Sequence, residues 1–266
     1  MRRQHHVNTG HRSGQRSNTP APVMLNNFIG NNAQGTPNDN HIAISDSGII
    51  VSVANTNIKM YNDTGLQLYS KSLSAFANVL GVLQSVSDPR IVYDPATDRF
   101  ILIFFSGVAS TTSKVVVGFS KTNNPTGAWN FYKLSGNYLS DTTWSDYPIV
   151  TISDHDLFVT FNQLHDSLDW QTGFKYSIIW QIDKSTGYNG DTLLFNYWHN
   201  IEYNGRPVWN ICPIRGGSGP TGPETYLLSV RPHDISNDTV FLHTISNSVL
   251  SGNAQLSTKV LTTNVP

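Results

Sequence analysis

Short runs of β-branched and aromatic residues recur along the chain, separated by turns rich in Gly, Pro, Asn, Asp and Ser. Such runs are typical of strands joined by hairpins. The longest of them are apolar at nearly every position; they are 49–53, 100–105, 157–161 and 226–230. Since no stretch shows sustained helical periodicity, the pattern predicts an all-β protein.

Four stretches can be laid over one another at intervals of about 50 to 60 residues. The first three begin with Asp39, Asp88 and Asp146, and the fourth is a weaker copy at residues 206–213. Fixed periods of this size indicate solenoids or propellers, because one unit cannot bury its apolar face without stacked neighbours.

Each repeat carries its strands in a constant order. The leading segment is followed by two apolar strands, and in three copies a Thr-Gly turn then precedes a last strand. These turns are Thr64-Gly65, Thr126-Gly127 and Thr186-Gly187. The last strands are expected to begin near Leu66, Trp129, Leu193 and Ala254. Four strands per unit predict a β-propeller with about four four-stranded antiparallel blades, possibly part of a larger ring.

The predicted domains are a flexible leader at 1–35 and blades at approximately 36–80, 81–136, 137–200 and 201–266. Four blades are at the small end of the range for propellers. The chain is therefore expected to be either a compact ring or a fragment of a larger one. An unclosed ring would expose an apolar blade face and would need further blades or self-association.

Composition excludes several classes of function. The chain has 17 Lys and Arg against 18 Asp and Glu, so it lacks the basic surface of a nucleic-acid-binding protein. It also has no apolar run long enough to span a membrane. Charged residues are only 13%, and Ser, Thr and Asn supply the polar surface, as in many exported β-rich proteins. The single Cys212 excludes an intrachain disulfide and is expected to be a small buried apolar residue.

Two segments resemble a repeat found in large secreted bacterial β-propeller proteins. The first contains Ser87-Asp88-Pro89-Arg90, and the second contains Pro125-Thr126-Gly127-Ala128-Trp129 and continues to Trp144-Ser145-Asp146-Tyr147-Pro148. Many of these proteins come from Bacteroidetes-type organisms and carry a C-terminal sorting domain. The resemblance implies export to a cell-surface or extracellular location, and it carries no activity. This chain departs from the pattern, because no sorting domain is present and the fourth repeat lacks the leading Asp.

The recurrent aspartates Asp39, Asp88 and Asp146 are expected at one position, just before the innermost strand of each blade. Oxygen ligands that converge from several blades suit calcium, so one hypothesis is that the three aspartates share a calcium site. The alternative, which recurrence favours, is that each Asp caps its own turn by accepting backbone N–H bonds.

A glycoside hydrolase of the sialidase kind is an alternative function. It would recruit Asp88 and Asp146 as paired carboxylates, with Arg90 and Arg206 nearby. The sequence lacks a complete Ser-x-Asp-x-Gly-x-Thr-Trp box, and Arg90 is equally explained by an ion pair with Asp88 or Asp94. No catalytic site is evident, so an enzyme is the less favoured interpretation.

Aromatic residues outside the regular strand pattern are candidates for contact with a carbohydrate or protein ligand. Trp144 and Tyr147 lie beside a blade-entry loop, and Trp170 lies in a polar loop; further candidates are Tyr188, Tyr197, Trp198 and Trp209. Packing between blades is the alternative role, and it is preferred for Trp129, Trp180 and Trp209. The sequence thus favours a secreted or cell-surface binding, adhesion or structural scaffold.

Overall fold

The computed structural model describes residues 24, 26–32, 37–169, 172–214, 224–231 and 239–262. Most of the predicted leader lies outside these residues. Within it, the ring of Phe28 packs against Tyr61, with 5.5 Å between ring centroids. The side chain of Asn31 donates to the carbonyl of Ser52 at 3.1 Å. Residues 26–32 therefore contact the first sheet.

Sheets 1 and 2 are four-stranded, antiparallel and ordered as the strands follow in the chain. The strands of sheet 1 are β1 (His41–Ile44), β2 (Ile50–Ala54), β3 (Asn57–Tyr61) and β4 (Gln67–Ser72). Helix α1 (Leu73–Phe76) and a 3-10 turn (Asn78–Leu80) connect it to sheet 2. The strands of sheet 2 are β5 (Val86–Asp94), β6 (Arg99–Ser106), β7 (Lys114–Ser120) and β8 (Trp129–Ser135).

Sheets 3 and 4 repeat the same arrangement. The strands of sheet 3 are β9 (Thr143–Ile152), β10 (Asp156–His165), β11 (Phe174–Asp183) and β12 (Phe195–Trp198). Helix α2 (Lys184–Asn189) follows β11, and a small hairpin of β13 (Glu202–Tyr203) and β14 (Arg206–Pro207) leads to the next sheet. The strands of sheet 4 are β15 (Trp209–Pro213), β16 (Thr225–Val230), β17 (Thr239–Ser246) and β18 (Gln255–Thr262), with a 3-10 turn (Val249–Ser251) before β18.

The prediction of an all-β protein with four antiparallel four-stranded sheets is confirmed. The prediction of a turn at Thr186-Gly187 is wrong, because both residues lie inside helix α2. The carboxylate of Asp183 caps this helix by accepting from the backbone N–H of Thr186, and Gly190 ends it in the left-handed conformation. A good N-cap and a glycine stop define a short helix that lacks apolar periodicity.

Neighbouring sheets pack face to face, and the contacts follow chain order. We call the face turned toward the preceding sheet the front face and the opposite one the back face. The back of sheet 1 meets the front of sheet 2 through buried residues of both: Ala43, Val51, Val53, Ile58 and Met60 against Ile91, Tyr93, Phe100, Leu102 and Phe104. The second junction buries mainly Ile101, Ile103, Phe105, Val115, Val117 and Phe119 of sheet 2 against Leu157, Val159, Phe161, Ile178 and Trp180 of sheet 3.

The third junction is less apolar. Phe158 and Ile179 from the back of sheet 3 pack on Ile211, Leu227 and Phe241 of sheet 4. Polar side chains cross the same junction: the Thr160 hydroxyl donates to the Ile211 carbonyl at 2.6 Å, and the Ser177 hydroxyl donates to the Val208 carbonyl at 3.1 Å. Sheets 2 and 3 are therefore covered on both faces, as their continuous apolar strands predict.

The first strand of each sheet lies innermost. Strand β1 contacts β5, β5 contacts β9, and β9 contacts β15. The outer strands β4 and β18 are exposed along most of their length. Within the described residues the extensive contacts between sheets join neighbours in sequence, and the four sheets do not form a closed ring.

Candidate functional site

A β-bulge interrupts the innermost strand of sheet 2. Ser87 pairs with Phe105 and Arg90 pairs with Ile103, so Asp88 and Pro89 together lie opposite one residue of β6. A bulge adds one residue, bends the strand and turns its side chains away from the regular ladder.

The same bulge recurs in the other sheets. Its two residues are Tyr147 and Pro148 in sheet 3 and Asn210 and Ile211 in sheet 4. In sheet 1, Asp39 and Asn40 occupy the equivalent place just before β1, since the N–H of Asn55 donates to the carbonyl of Asn38 and His41 pairs with Val53. The first bulge residue has a positive φ in every copy, at 33° for Asp39, 53° for Asp88, 55° for Tyr147 and 51° for Asn210.

This register corrects the expectation that Asp39, Asp88 and Asp146 share one position. Asp146 pairs with Asn162 across the ladder and so lies one residue before the bulge, where sheet 2 has Ser87. Tyr147 is the equivalent of Asp88. The fourth repeat has not lost its polar residue at this position, because Asn210 occupies it. Asp and Asn tolerate the left-handed region better than other residues with a β-carbon, whereas a tyrosine there is strained.

The three carboxylates nevertheless meet at the bulge end of sheets 1 to 3. Asn55 links two of them, since its side-chain NH₂ donates to Asp39 at 2.7 Å and its oxygen accepts from the backbone N–H of Asp88 at 2.8 Å. Burial, the charge of Asp146 and a hydrogen bond with Asp39 raise the pKa of Asp88 to about 7. Burial and the charge of Asp39 also raise the pKa of Asp146, although the backbone N–H of Tyr147 opposes this.

Arg90 and Tyr147 join sheet 2 to sheet 3 beside these carboxylates. The Nε–H of Arg90 donates to the Pro148 carbonyl at 2.9 Å, and its guanidinium lies 5.9 Å from the centroid of the Tyr147 ring. Asp94, one of the two ion-pair partners expected for Arg90, pairs with Lys184 instead. Tyr147 itself is 48% exposed.

A cavity of about 150 Å³ lies at the same end, between sheets 3 and 4. It is lined by polar, aromatic and aliphatic side chains: Asp146, Tyr147, Asn162, Leu164, Trp209 and Asn210. The side-chain NH₂ of Asn162 donates to Asn210 at 2.6 Å, and the ring of Trp209 stacks on Phe174 at 4.6 Å. We name this cavity and the adjoining Asp39, Asn55, Asp88 and Arg90 the bulge-end surface.

Sequence reasoning found part of this surface and missed its amides. Asn55, Asn162 and Asn210 escaped notice because none of them belongs to a sequence motif that indicates a site. Asn210 lies in the fourth leading segment, four residues after Arg206, which the sequence alignment placed at the position of the leading aspartate.

The other sequence candidates lie elsewhere. Trp144 is half-buried on β9, opposite Leu164, and it does not line the cavity. Trp170 falls outside the described residues. Tyr188 is buried beside Phe119 at the junction of sheets 2 and 3. Arg206 lies in the β13–β14 hairpin and is exposed.

Trp129 and Trp180 are both buried, which agrees with the packing role preferred for them in the sequence analysis. The expectation that Cys212 is buried is wrong. The residue is exposed because its side chain pairs with Leu228 on the back of sheet 4, away from the junction with sheet 3.

A second, larger cavity of about 450 Å³ lies at the opposite end of the junction between sheets 3 and 4. Its lining includes His155, Phe158, Asn247 and the carboxylate of Asp156, which accepts from the side chain of Gln181 at 2.6 Å. Burial raises the pKa of Asp156.

Over the described ranges, no group of three or more His, Cys, Asp or Glu side chains is arranged to hold a metal ion, and this includes the three carboxylates expected for calcium. None of the helices described is long and apolar enough to cross a membrane.

Comparison with known proteins adds no assignment. No protein-family model matches the chain, and none of the curated proteins searched matches it.

Proposed function

We propose that this protein is a binding or adhesion scaffold of the β-propeller type and that the bulge-end surface holds its ligand. The observation that carries the proposal is the cavity between sheets 3 and 4, where the exposed Tyr147 ring meets Asp146, Asn162 and Asn210. Binding sites are concave, with an apolar or aromatic wall and a few convergent polar groups.

The backbone of Tyr147 supports a role beyond packing. Its φ of 55° is unfavourable for an aromatic residue, and the following Pro148 restricts it further. Strained residues of this kind persist where the surrounding structure enforces them, and they cluster at functional sites. Here about half of the Tyr147 side chain is exposed where it lines the cavity between sheets 3 and 4.

The chemistry of the cavity favours a carbohydrate ligand. Carboxylate and amide oxygens accept hydrogen bonds from hydroxyl groups, and amide NH₂ groups donate to them. The Tyr147 ring offers an apolar face on which a sugar ring can stack. Because the hydroxyl groups and rings of a neutral sugar carry no net charge, we expect its binding to depend little on salt.

The experiment is a screen of the intact chain on an array of glycans, followed by calorimetric titration of each hit. Replacing Tyr147 by Ala is expected to weaken binding at least about tenfold, since aromatic anchors dominate such contacts. The matched control is Tyr197→Ala, because Tyr197 is also partly exposed but lies on the outer strand β12. Equal affinity of both variants and the wild type would refute the site.

A specific observation favours glycoside hydrolysis as a second candidate. The pKa of Asp88, raised to about 7, would leave a large fraction of this carboxyl protonated near neutral pH, close to the second carboxyl of Asp146. An acid and a base of different pKa are what glycosidases use. Chromogenic glycosides test this function: turnover abolished by Asp88→Asn would support it, and lack of turnover by the wild type would reject it.

Export to the cell surface or the medium is part of the same proposal. It rests on the resemblance of the Asp-Pro-Arg and Pro-Thr-Gly-x-Trp segments to secreted propellers and on the low content of charged residues, 13%. Locating the native protein by fractionation of cells and medium tests it, and recovery from the cytoplasm alone would contradict it.

A further inference from the structure

The two terminal sheets each have one apolar face that no other described sheet covers. Residues 26–32 cover part of the front of sheet 1, since Phe28 packs on Tyr61, which pairs with Ile50. On the front of sheet 1, Ile42 and Ile44 are 56% and 55% exposed, and Ile50 beside them is half-buried. On the back of sheet 4, Val230 is 43% exposed, and Leu228 and Leu242 are half-buried. Contiguous exposed apolar surface on a folded protein marks an interaction site more often than chance placement does.

The strand-pairing register shows which surfaces of the other sheets are equivalent to these exposed faces. Ile42 and Ile44 of sheet 1 stand where sheet 2 has Ile91 and Tyr93, since the two strands pair with β2 and β6 at equivalent steps from the bulge. In sheet 2 these residues are buried against the back of sheet 1. The exposed front of sheet 1 is thus the surface that the fold buries in every later sheet.

The same holds at the other end. Leu228 and Leu242 pair across sheet 4, as Ile103 and Val117 do across sheet 2. In sheet 2 that pair is fully buried against the front of sheet 3. The exposed back of sheet 4 is therefore shaped to receive a front face.

We propose that a second copy of this chain docks head to tail, with the front of its sheet 1 on the back of sheet 4. The occupant follows from continuity with the three junctions inside the chain, each of which joins a back face to a front face. Sheet 1 is the one described sheet whose front face is covered by no other sheet, and no extensive contact joins the described residues of sheet 1 to those of sheet 4. A heterologous interface of this kind closes into a ring when the rotation allows and otherwise grows into a chain.

The test uses two exposed positions at which arginine fits the folded chain. Ile44→Arg blocks the front face and Val230→Arg blocks the back face; Val79→Arg is the control, because Val79 is exposed in the 3-10 turn between sheets 1 and 2. We expect the wild type and the control to associate in sedimentation velocity. Each blocked variant should dissociate, with a dissociation constant raised at least about tenfold by an unpaired charge in the interface.

Mixing the two blocked variants distinguishes head-to-tail docking from other contacts. The Ile44→Arg chain retains a usable back face and the Val230→Arg chain a usable front face, so the mixture should form a one-to-one heterodimer. A wild type that stays monomeric at every concentration would overturn the proposal. So would a Val230→Arg variant that still associates with itself, since it would reveal front-to-front pairing.

Discussion

One buried ion pair connects sheets 2 and 3, and its removal gives the sharpest test of the stacked arrangement. The Nζ of Lys184 lies 2.8 Å from a carboxylate oxygen of Asp94, and the two side chains are only 4% and 2% exposed. Lys184 also donates to the Ser153 carbonyl at 2.7 Å, and the hydroxyl of Tyr188 donates to Asp94 at 2.9 Å. Replacing Lys184 by Met keeps the chain length and removes the charge.

The expected cost follows from the burial of the partner. Without Lys184, Asp94 keeps the Tyr188 hydroxyl and the backbone N–H of Ala96 but loses its ion-pair partner at a position that is almost fully buried. Breaking one side of a buried pair costs about 3–5 kcal/mol of unfolding free energy. The pair of Lys175 with Asp141, at 2.9 Å, is 44% and 26% exposed. Its loss should cost about 0–1 kcal/mol.

Urea unfolding monitored by tryptophan fluorescence measures both costs. Lys184→Met is the test, Lys175→Met is the matched control, and the double variant Lys184→Met with Asp94→Asn should recover part of the loss because no charge is left buried. If Lys184→Met and Lys175→Met lower the unfolding free energy equally, the junction of sheets 2 and 3 does not bury the ion pair as described.

Three further predictions concern packing and pH. A β-carbon on Gly118 would lie 2.6 Å from the Phe131 ring, so Gly118→Ala should cost about 1–3 kcal/mol of stability in thermal unfolding, while Gly30→Ala, with open space around it, should be neutral. Burial lowers the pKa of His243 to about 4, so its neutral form is favoured in the fold and stability should fall by about 3 kcal/mol between pH 6.5 and 4; pH-dependent denaturation of His243→Phe should show a flatter profile. The pKa of Asp88 is raised to about 7, so the protonated carboxyl contributes to folding stability at low pH and this stability is lost as pH rises through 7. Asp88→Asn should therefore raise the melting temperature at pH 8 and change it little at pH 4.

Much of the fold is legible in the sequence because burial on both faces removes polar alternation. Strand β6 is apolar from Phe100 to Phe105, and it lies between two sheets as that run predicts. The outer strand β8 begins at Trp129, the position expected from the Thr126-Gly127 turn. In these strands the hydrophobic pattern of the sequence matches the burial of the strand in the fold, so the pattern predicts the burial.

The bulges could not be read in the same way. Asp88-Pro89 and Asp146-Tyr147-Pro148 look like the same motif with one insertion, and alignment on the aspartates places Asp146 one residue too late. Register in a ladder depends on which backbone groups pair across it, and a bulge changes that pairing without a sequence signal of fixed form. Cys212 was misjudged for a related reason, since only the register shows that it shares the uncovered face with Leu228.

The polar junction between sheets 3 and 4 explains where both cavities lie. A large apolar cluster fills most of the second junction beside its polar contacts, whereas the third has a smaller apolar cluster and is crossed by directional hydrogen bonds from Thr160, Asn162 and Ser177. Hydrogen bonds fix donor and acceptor at set distances, so the side chains around them cannot close every gap as a purely apolar core does. A cavity at each end of this junction is the result. Because Asn162 and Asn210 belong both to the junction and to the bulge-end surface, a ligand bound there would contact the groups that hold sheet 4 on sheet 3. Ligand binding should therefore stabilise that junction more than the other two.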